Sequence, residues 1–482
     1  MHKRDAEMYK FRNNQIEFCD FEQPIGMHMN PNNRWVKKAE MIPWAEIEQR
    51  YAKLFINRKG NVAKPLRLAL GACIIQAEYG YSDEETALQI QEAGFLQFFC
   101  GYRKYDDTKL PFDPSLMVYF RKRLTPEILG EINELIIANA KKKTETDKKD
   151  DDENKPEPPH NKGTLIVDAT CAPSQIKFPQ DTELLNEARE NTEKIITEFH
   201  NPKEGKKPRI YPKCAHRDYL HFARKKRKTS KEIHISVGKQ LRYLNRNLGI
   251  IDKMLSNGKE LSTKQTIRLK TIKALYAQQK HMFDNRIHTV ENRIVSISQP
   301  YIRPIVRGKA KAPVEFGAKL DISIADGFVR LEKQSFDAYN EATVLSEVIE
   351  RYKARTGSYP ERILADKIYR NRDNLSLCKK LEIRLSGPAL GRPKKDAIVD
   401  KKLEYVDNCD RVEVERAFSL AKRNCGLGKI YTRLKETSQS VIALSIAVLN
   451  LRYIAKILFS FFSCSLKLLF TFIPKFKRAF VQ

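Results

Sequence analysis

The cysteine pattern of this chain excludes more than it indicates. Nine cysteines, an odd number, are scattered from Cys19 to Cys464 without a CxxC pair. The pattern argues against the disulfide framework of a small secreted domain and favours a reducing cytoplasm. Cys214, His216 and His221 lack a fourth ligand at zinc spacing, so we expect no zinc site. The first ten residues, MHKRDAEMYK, also lack the apolar stretch of a signal peptide.

Long uncharged apolar runs are equally scarce. Between residues 457 and 474 the only charge is Lys467, but cations flank the run at Arg452, Lys456 and Lys475. Such interruptions favour a buried or membrane-surface helix over one that spans a bilayer. We therefore expect no membrane partner.

Negative charge is the third shortage. The chain has 88 Lys and Arg against 60 Asp and Glu, a net charge of +28. This excess favours a polyanionic partner, because cations that meet phosphates release condensed counterions. A merely basic protein remains the alternative on charge alone. A length of 482 residues predicts two or three domains.

The N-terminal part, to about residue 140, is predicted to be helical. A helix is expected to start after Asp113-Pro114 and to end, before Pro126, in a basic stretch. Several short helices with a basic one last are typical of a DNA-binding unit of helix-turn-helix type. A plain helical bundle with its cations in water is an equal alternative. The candidate phosphate contacts in this part are Arg121, Lys122 and Arg123.

Residues 141–162 read as a charged linker, and strands follow it. The apolar run from residue 164 predicts a strand, and the alternating stretch from residue 318 predicts a hairpin that turns at Asp326-Gly327. Asp321 is expected at an exposed strand position. Between these strands, at about residues 180–300, apolar residues at 4-3 spacing from Val237 predict an antiparallel helical hairpin. The basic run at residues 224–228 precedes it, either as a solvated loop or as a grip on phosphates.

Three carboxylates stand out from this background. Asp168 and Asp366 each follow an apolar strand, where an ionised group is costly unless a cation meets it. Glu415 lies on a predicted helix with Arg411 and Lys422 on the same stripe. For each residue alone, an ordinary strand end or helix surface is the better interpretation. Together they are hard oxygen ligands that suit Mg²⁺ or Mn²⁺, and two such ions can drive an in-line phosphoryl displacement.

Ordered short motifs carry a resemblance to a known family. In the N-terminal part they are YGYSDEET at 79–86, FFCGY at 98–102 and YFRKRL at 119–124. Further on they are VDAT at 167–170, IVRGK at 305–309, EFGAK at 315–319, YNE at 339–341, LADKIY at 364–369 and VEVERAFSLAK at 412–422. In this order, from about Trp35 to about Tyr453, the chain resembles bacterial insertion-sequence transposases of the DDE superfamily with an InsH-like N-terminal domain.

The resemblance implies an α+β, RNase H-like catalytic core at 163–435, with a helical N-terminal domain, an inserted helical hairpin and a C-terminal helix with an apolar tail at 436–482. It implies that Asp168, Asp366 and Glu415 form the catalytic, metal-binding triad. In the family's Tyr-x₂-Arg-x₃-Glu-x₆-Lys pattern, Asn408 stands where the tyrosine is expected. The further candidate phosphate contacts are Arg307, Lys309, Lys319, Arg411 and Lys422.

The function implied is transposition: binding of terminal inverted repeats, then cleavage and strand transfer with Mg²⁺ or Mn²⁺, as two ions. The expected partner is double-stranded DNA, bound by a homodimer or larger assembly in the cytoplasm, at the nucleoid. Two alternatives stay open: a catalytically inactive, domesticated DNA-binding protein, and an RNase H-like nuclease that does not join DNA.

Overall fold

The computed structural model describes residues 17–22, 28–55, 62–146, 161–306, 314–387, 390 and 400–472. Its N-terminal part consists of helices joined by short loops. Ser82 begins one of them by accepting a hydrogen bond from the backbone N–H of Glu85, and Gly80 ends another with a left-handed φ of 72°. These helices are α1 (Arg34–Met41), α2 (Trp44–Ala52), α3 (Leu66–Tyr79), α4 (Asp83–Glu92), α5 (Gly94–Phe99), α6 (Leu116–Arg123) and α7 (Pro126–Thr146).

One mixed sheet follows the predicted linker. Its strands are β1 (Thr164–Pro173), β2 (Arg303–Val306), β3 (Val314–Ala325), β4 (Phe328–Ser335), β5 (Arg362–Ala365) and β6 (Arg384–Leu385). The strand order is β2-β3-β1-β5-β6, and β4 also pairs with β3. β5 runs parallel to β1 and to β6, whereas β3 runs antiparallel to β1. The structure thus confirms the α+β class, and it confirms the β3–β4 hairpin, which turns at Asp326 and Gly327 with positive φ.

A helical insertion separates β1 from β2 in the sequence. It comprises α8 (Asp181–Phe199), α9 (Pro212–Ala223), α10 (Ser230–Ser256) and α11 (Thr263–Asn285). The predicted hairpin corresponds to α10 and α11, which begin at capping boxes of Thr229 and Ser262. Within the predicted bounds of about 180–300, two helices that the hairpin prediction did not include, α8 and α9, pack on α10 around the same apolar core.

Four α-helices complete the part of the chain that the structure describes. Three of them lie around β5 and β6, namely α12 (Leu345–Thr356), α13 (Arg372–Lys380) and α14 (Lys401–Asn424), and α15 (Lys435–Phe472) comes last. The N-terminal helices, one face of the sheet and α15 share a single hydrophobic core. The predicted domain boundary at residue 140 falls inside α7.

A buried asparagine joins the three parts of that core. The side-chain amide of Asn450, on α15, donates to Asn133 on α7 at 2.8 Å and to the carbonyl oxygen of Val329 on β4 at 2.7 Å. Its side-chain oxygen accepts the backbone N–H of Val329 at 2.9 Å. The stretch Lys435–Ile457 is long and apolar enough to cross a membrane, but 67% of its apolar window is buried inside the protein, as in a core helix.

Candidate active site

Asp168 and Asp366 lie side by side at one edge of the sheet. The parallel pairing of β1 with β5 ends at Val167 and Ala365. The residue that follows each of these two is an aspartate. Neighbouring strands are about 4.8 Å apart. The apolar residues before each aspartate are buried, and they hold both strand ends in the core. The structure therefore brings together the two strand-borne members of the predicted triad.

The surroundings of Asp168 favour its neutral form. Burial raises the pKa of Asp168 to about 6, and the nearby carboxylates of Asp366 and Glu341 act in the same direction. The backbone N–H of Ala169, which donates to the carboxylate at 2.7 Å, and the charge of Arg411 oppose the rise. A half-buried carboxylate beside a second one is a site where a cation is favourable.

Asp366 is exposed and begins a short 3₁₀ turn. Its side chain accepts the backbone N–H of Lys367 at 2.7 Å, and the turn extends over Lys367–Tyr369. The direction of the carboxylate therefore depends on how this turn is held against the sheet.

The third carboxylate is on α14, which a charged clasp fastens to the sheet. Asp407 accepts hydrogen bonds from Arg362 at 3.1 Å and from Arg384 at 2.6 and 2.8 Å, and Asp410 accepts one from Arg362 at 2.7 Å. Arg362 also donates to Thr164 at 2.8 Å. One arginine thus connects β1, β5 and α14 at the end of the strands opposite the aspartates.

The ion pairs of the clasp fix the position of α14 along the sheet, so they determine which part of α14 lies near Asp168 and Asp366. From residue 362 to residue 366 an extended strand rises about 13 Å. From residue 407 to residue 415 a helix rises about 12 Å. Arg411, halfway, is within electrostatic range of Asp168, so the helix runs in the same direction as β5. The two rises are similar, which is consistent with Glu415 near the level of Asp366. The Glu415 side chain is 61% exposed and pairs with Arg411 at 3.6 Å.

A buried polar cluster beside the aspartates was missed from the sequence. Asp321, expected at an exposed position, is fully buried, and this expectation is wrong. Its carboxylate accepts hydrogen bonds from the hydroxyl of Tyr339 and, at 2.8 Å, from that of Tyr369. Burial raises the pKa of Asp321, and the two tyrosine hydroxyls oppose the rise. Because Tyr369 ends the turn that Asp366 begins, Asp321 ties that turn to β3.

Lys319 belongs to the same cluster. Its ammonium pairs with Glu341 at 2.7 Å and donates to the carbonyl oxygen of Tyr339 at 2.9 Å, and its side chain is 12% exposed. The prediction that Lys319 meets a DNA phosphate is thus not matched by this geometry, because its charge is neutralised inside the protein. The motifs YNE and LADKIY contain both tyrosines, and their order was the signal that could have led to the cluster.

The carboxylates fit a divalent cation in part. Asp168 and Asp366 supply hard oxygen donors side by side where the pairing of β1 with β5 ends, as Mg²⁺ or Mn²⁺ requires. Within the part of the chain that the structure describes, no three His, Cys, Asp or Glu side chains come close enough to hold a metal ion. The third carboxylate of the predicted triad, Glu415, pairs with Arg411 at 3.6 Å instead.

Part of the basic end of α6 is engaged inside the protein. Arg121 is buried and donates to Asp83 at 2.6 and 2.8 Å and to Gln76 at 2.8 Å, so its assignment as a DNA contact is corrected. Arg123 lies over the ring of Phe55 at 5.0 Å. Lys122 is exposed. The first two cations hold helices together, because their partners come from distant parts of the chain.

Of the four remaining candidates for phosphate contact, two lie on α14 and two lie outside the residues that the structure describes. Arg411 and Lys422 are half-buried on α14, one turn before and two turns after Glu415. Arg307 and Lys309 lie outside the described residues.

Two comparisons with known families point the same way. Residues 24–123 match a family described as "Transposase domain (DUF772)", and residues 363–452 match one described as "Transposase DDE domain". The first match spans α1 to α6, and the second contains Asp366 and Glu415. The two matches support an insertion-sequence DDE transposase. This confirms the resemblance that the motifs indicated, for a DDE transposase domain at the C-terminal side and a second transposase domain at the N-terminal side.

A similar protein from Rhizobium meliloti, described as an uncharacterized protein ORF8 in the nfe locus, is 29% identical over 164 residues. The match covers 34% of the transposase chain and 73% of that protein. No solved structure matches the chain.

Proposed function

We propose that this transposase binds the terminal inverted repeats of an insertion sequence and catalyses metal-dependent DNA cleavage and strand transfer. The observation that carries the proposal is the pair of aspartates, Asp168 and Asp366, which directly follow the last paired residues of the parallel strands β1 and β5. Glu415, at the same level on α14, is the third proposed catalytic residue. Arg411 and Lys422 flank it and are proposed to position phosphates.

The strand arrangement supports an RNase H-like core. The antiparallel hairpin of β3 and β4 lies on one side of β1, and the parallel strands β5 and β6 lie on the other. That order places the first aspartate on the opening strand and the second after a later, neighbouring strand, as the family resemblance implies. We infer this fold from the topology of the sheet.

Asp168, Asp366 and Glu415 would hold Mg²⁺ or Mn²⁺, as two ions. When bound, such ions activate an attacking hydroxyl and stabilise the departing oxygen in an in-line displacement. The protein's own contribution is to fix two ligands on rigid strand ends and to align the third through the clasp on α14. With water as nucleophile this chemistry cuts DNA, and with a DNA 3′-hydroxyl it joins DNA.

The proposed partner is double-stranded DNA at the element's ends and at the target. Synapsis of two ends requires a homodimer or a larger assembly, and we place the reaction at the nucleoid in the cytoplasm. The net charge of +28 supports a polyanionic partner.

The test is cleavage and joining by the full chain on a plasmid that carries the element, with Mg²⁺ present. Asp168→Asn, Asp366→Asn and Glu415→Gln keep side-chain size and should each abolish cleavage while DNA binding is retained. Asp326→Asn is the matched control, because Asp326 lies at the hairpin tip and pairs with Lys141 at 2.7 Å. It should cleave at the wild-type rate.

Two outcomes favour the alternatives. Sequence-specific DNA binding without any cleavage by the wild-type chain indicates a domesticated, inactive protein. Cleavage without joined products indicates a nuclease. Normal cleavage by one of the three variants removes that residue from the catalytic set.

A further inference from the structure

The helical insertion contains the densest positive charge of the described chain. Residues 203–231 include twelve Lys and Arg against two acidic residues, a net charge of +10 in 29 residues, compared with +28 for all 482. Folded surfaces usually intersperse the two signs, because like charges in one place repel. The densest part is the basic run, residues 224–228, with the sequence RKKRK.

Most of this charge faces solvent. Arg224, Lys226 and Arg227 are exposed. Within the described residues, Lys225 is the one cation of the basic run with a carboxylate within ion-pair distance, Glu232 at 2.6 Å. Lys228 lies over the ring of Phe222 at 4.9 Å. The side chains of Arg224, Lys226 and Arg227 therefore face solvent.

The basic run is an ordered turn with a helix on each side. At its start, the backbone N–H of Arg224 donates to the carbonyl oxygen of Leu220 at 3.0 Å, which closes α9. At its end, Thr229 and Glu232 form the capping box that opens α10. Cations on a fixed turn lose less conformational entropy on binding than cations on a free tail.

The direction of α9 shows which end of the insertion carries the run. Along α9, His216 lies 3.8 Å from Glu190 of α8, and Tyr219 lies within electrostatic range of Glu183 and Lys177, although burial is the largest cause of its raised pKa. Later residues of α9 thus lie near residues closer to the first turn of α8. Because α8 begins next to the sheet, α9 runs back toward the sheet. The basic run follows directly and lies at the base of the insertion.

That base adjoins the strand that carries Asp168. Lys177 follows Asp168 by nine positions, which span at most about 30 Å even if fully extended. One turn of B-form DNA is about 34 Å long. Arg224 lies five residues beyond Tyr219, which is about 8 Å along the helix. A duplex that has its scissile phosphate at Asp168 and Asp366 and runs toward the insertion would therefore reach the basic run within about two helical turns.

We propose that the basic run is a second DNA-binding surface that grips the sugar-phosphate backbone within about two helical turns of the scissile phosphate, independently of base sequence. Arginine and lysine contact phosphate oxygens without reading bases, which is the chemistry of a positioning contact. The inference rests on the proposed function, because it takes the aspartate pair as the point where DNA is cut.

The test uses the full chain and a random-sequence 40-base-pair duplex, with binding followed by fluorescence anisotropy over a range of salt concentrations. In the variant R224Q/K226Q/R227Q, loss of three phosphate contacts should reduce the slope of log K against log salt by about 2 to 3. The matched control is K253Q/K264Q/K270Q. These exposed lysines lie where α10 ends and α11 begins, at the far end of the insertion, where Gln265 donates to Glu198 at 2.6 Å.

The control should keep nearly the wild-type slope although it loses the same charge. An equal slope for the run variant and the wild type overturns the inference, and so does an equal loss in both variants, because net charge alone then explains binding. A wild-type chain that binds no duplex DNA contradicts the proposed function instead. Circular dichroism melting of all three proteins separates lost contacts from lost folding.

Discussion

Removal of a single hydroxyl, in Tyr369→Phe, tests whether the buried cluster holds the active-site turn. The hydroxyl donates to Asp321 at 2.8 Å, and both residues are buried. Phenylalanine keeps the ring but leaves one carboxylate oxygen without its donor. A hydrogen bond to a charged group contributes about 1.5–3 kcal/mol. The free energy of unfolding should therefore fall by that amount in a urea titration followed by circular dichroism.

Tyr352→Phe is the matched control for this change. Tyr352 is also buried, and its hydroxyl donates at 2.8 Å to the backbone carbonyl oxygen of Lys162, a neutral acceptor. Its loss should cost only about 0.5–1.5 kcal/mol. A Tyr369→Phe variant that is no less stable than Tyr352→Phe refutes the idea that Asp321 is held as a buried anion.

The same variant has a functional consequence. The 3₁₀ turn that Tyr369 ends is the one that Asp366 begins, so a looser turn moves a proposed metal ligand. A displacement of about 1 Å can slow a reaction by about 100-fold. We expect slower cleavage and a higher half-saturating Mg²⁺ concentration than in Tyr352→Phe. Unchanged values of both in Tyr369→Phe would show that the cluster serves stability alone.

Two further substitutions probe other parts of the structure. Burial raises the pKa of Glu48 from 4.5 to about 7, and a backbone hydrogen bond from Leu66 opposes the rise. The folded chain therefore holds the proton of Glu48 more tightly than the unfolded chain does. The free energy of unfolding should fall by up to about 3 kcal/mol as pH rises from 4.5 through 7. Glu48→Gln should remove this fall, and urea titrations at pH 5 and pH 8 that keep the wild-type difference would contradict it. Asp407→Asn should cost about 1–3 kcal/mol and slow cleavage, because it leaves Arg362 and Arg384 without their shared charge; Asp410→Asn, which affects a more exposed pair, should do less in both assays.

Local patterns predicted local structure well. The 4-3 spacing of apolar residues and the serine and threonine caps predicted α10 and α11, and the Asp326-Gly327 pair predicted the hairpin tip. Both signals depend only on residues a few positions apart. The same local patterns also predicted that the helical insertion lies between β1 and the β3–β4 hairpin in the sequence. By contrast, β6 has two residues, which is too short for any periodicity to reveal it.

Long-range partners were the part that the sequence could not supply. Asp321 was expected to be exposed because its strand neighbours alternate, but its burial depends on tyrosines 18 and 48 residues away. Arg121 was expected to face DNA because three cations are consecutive, but Asp83, 38 residues away, accepts its charge. A charge pattern on one helix predicts which residues are basic, and only the fold decides whether they meet an internal carboxylate.

Of the three carboxylates in the proposed triad, Asp168 and Asp366 lie together and Glu415 does not join them. This difference has a physical reason. Asp168 and Asp366 are adjacent because strand pairing enforces it, and a third carboxylate beside them adds like-charge repulsion where the pKa of Asp168 is already raised to about 6. Glu415 lies against Arg411 instead, 3.6 Å away, and its side chain is 61% exposed. Such a surface pair contributes at most about 1 kcal/mol, so little opposes a change of rotamer. In the proposed triad, the clasp at Arg362 and Asp407 sets the position of Glu415 along the sheet, and a change of rotamer would turn its carboxylate toward the two aspartates.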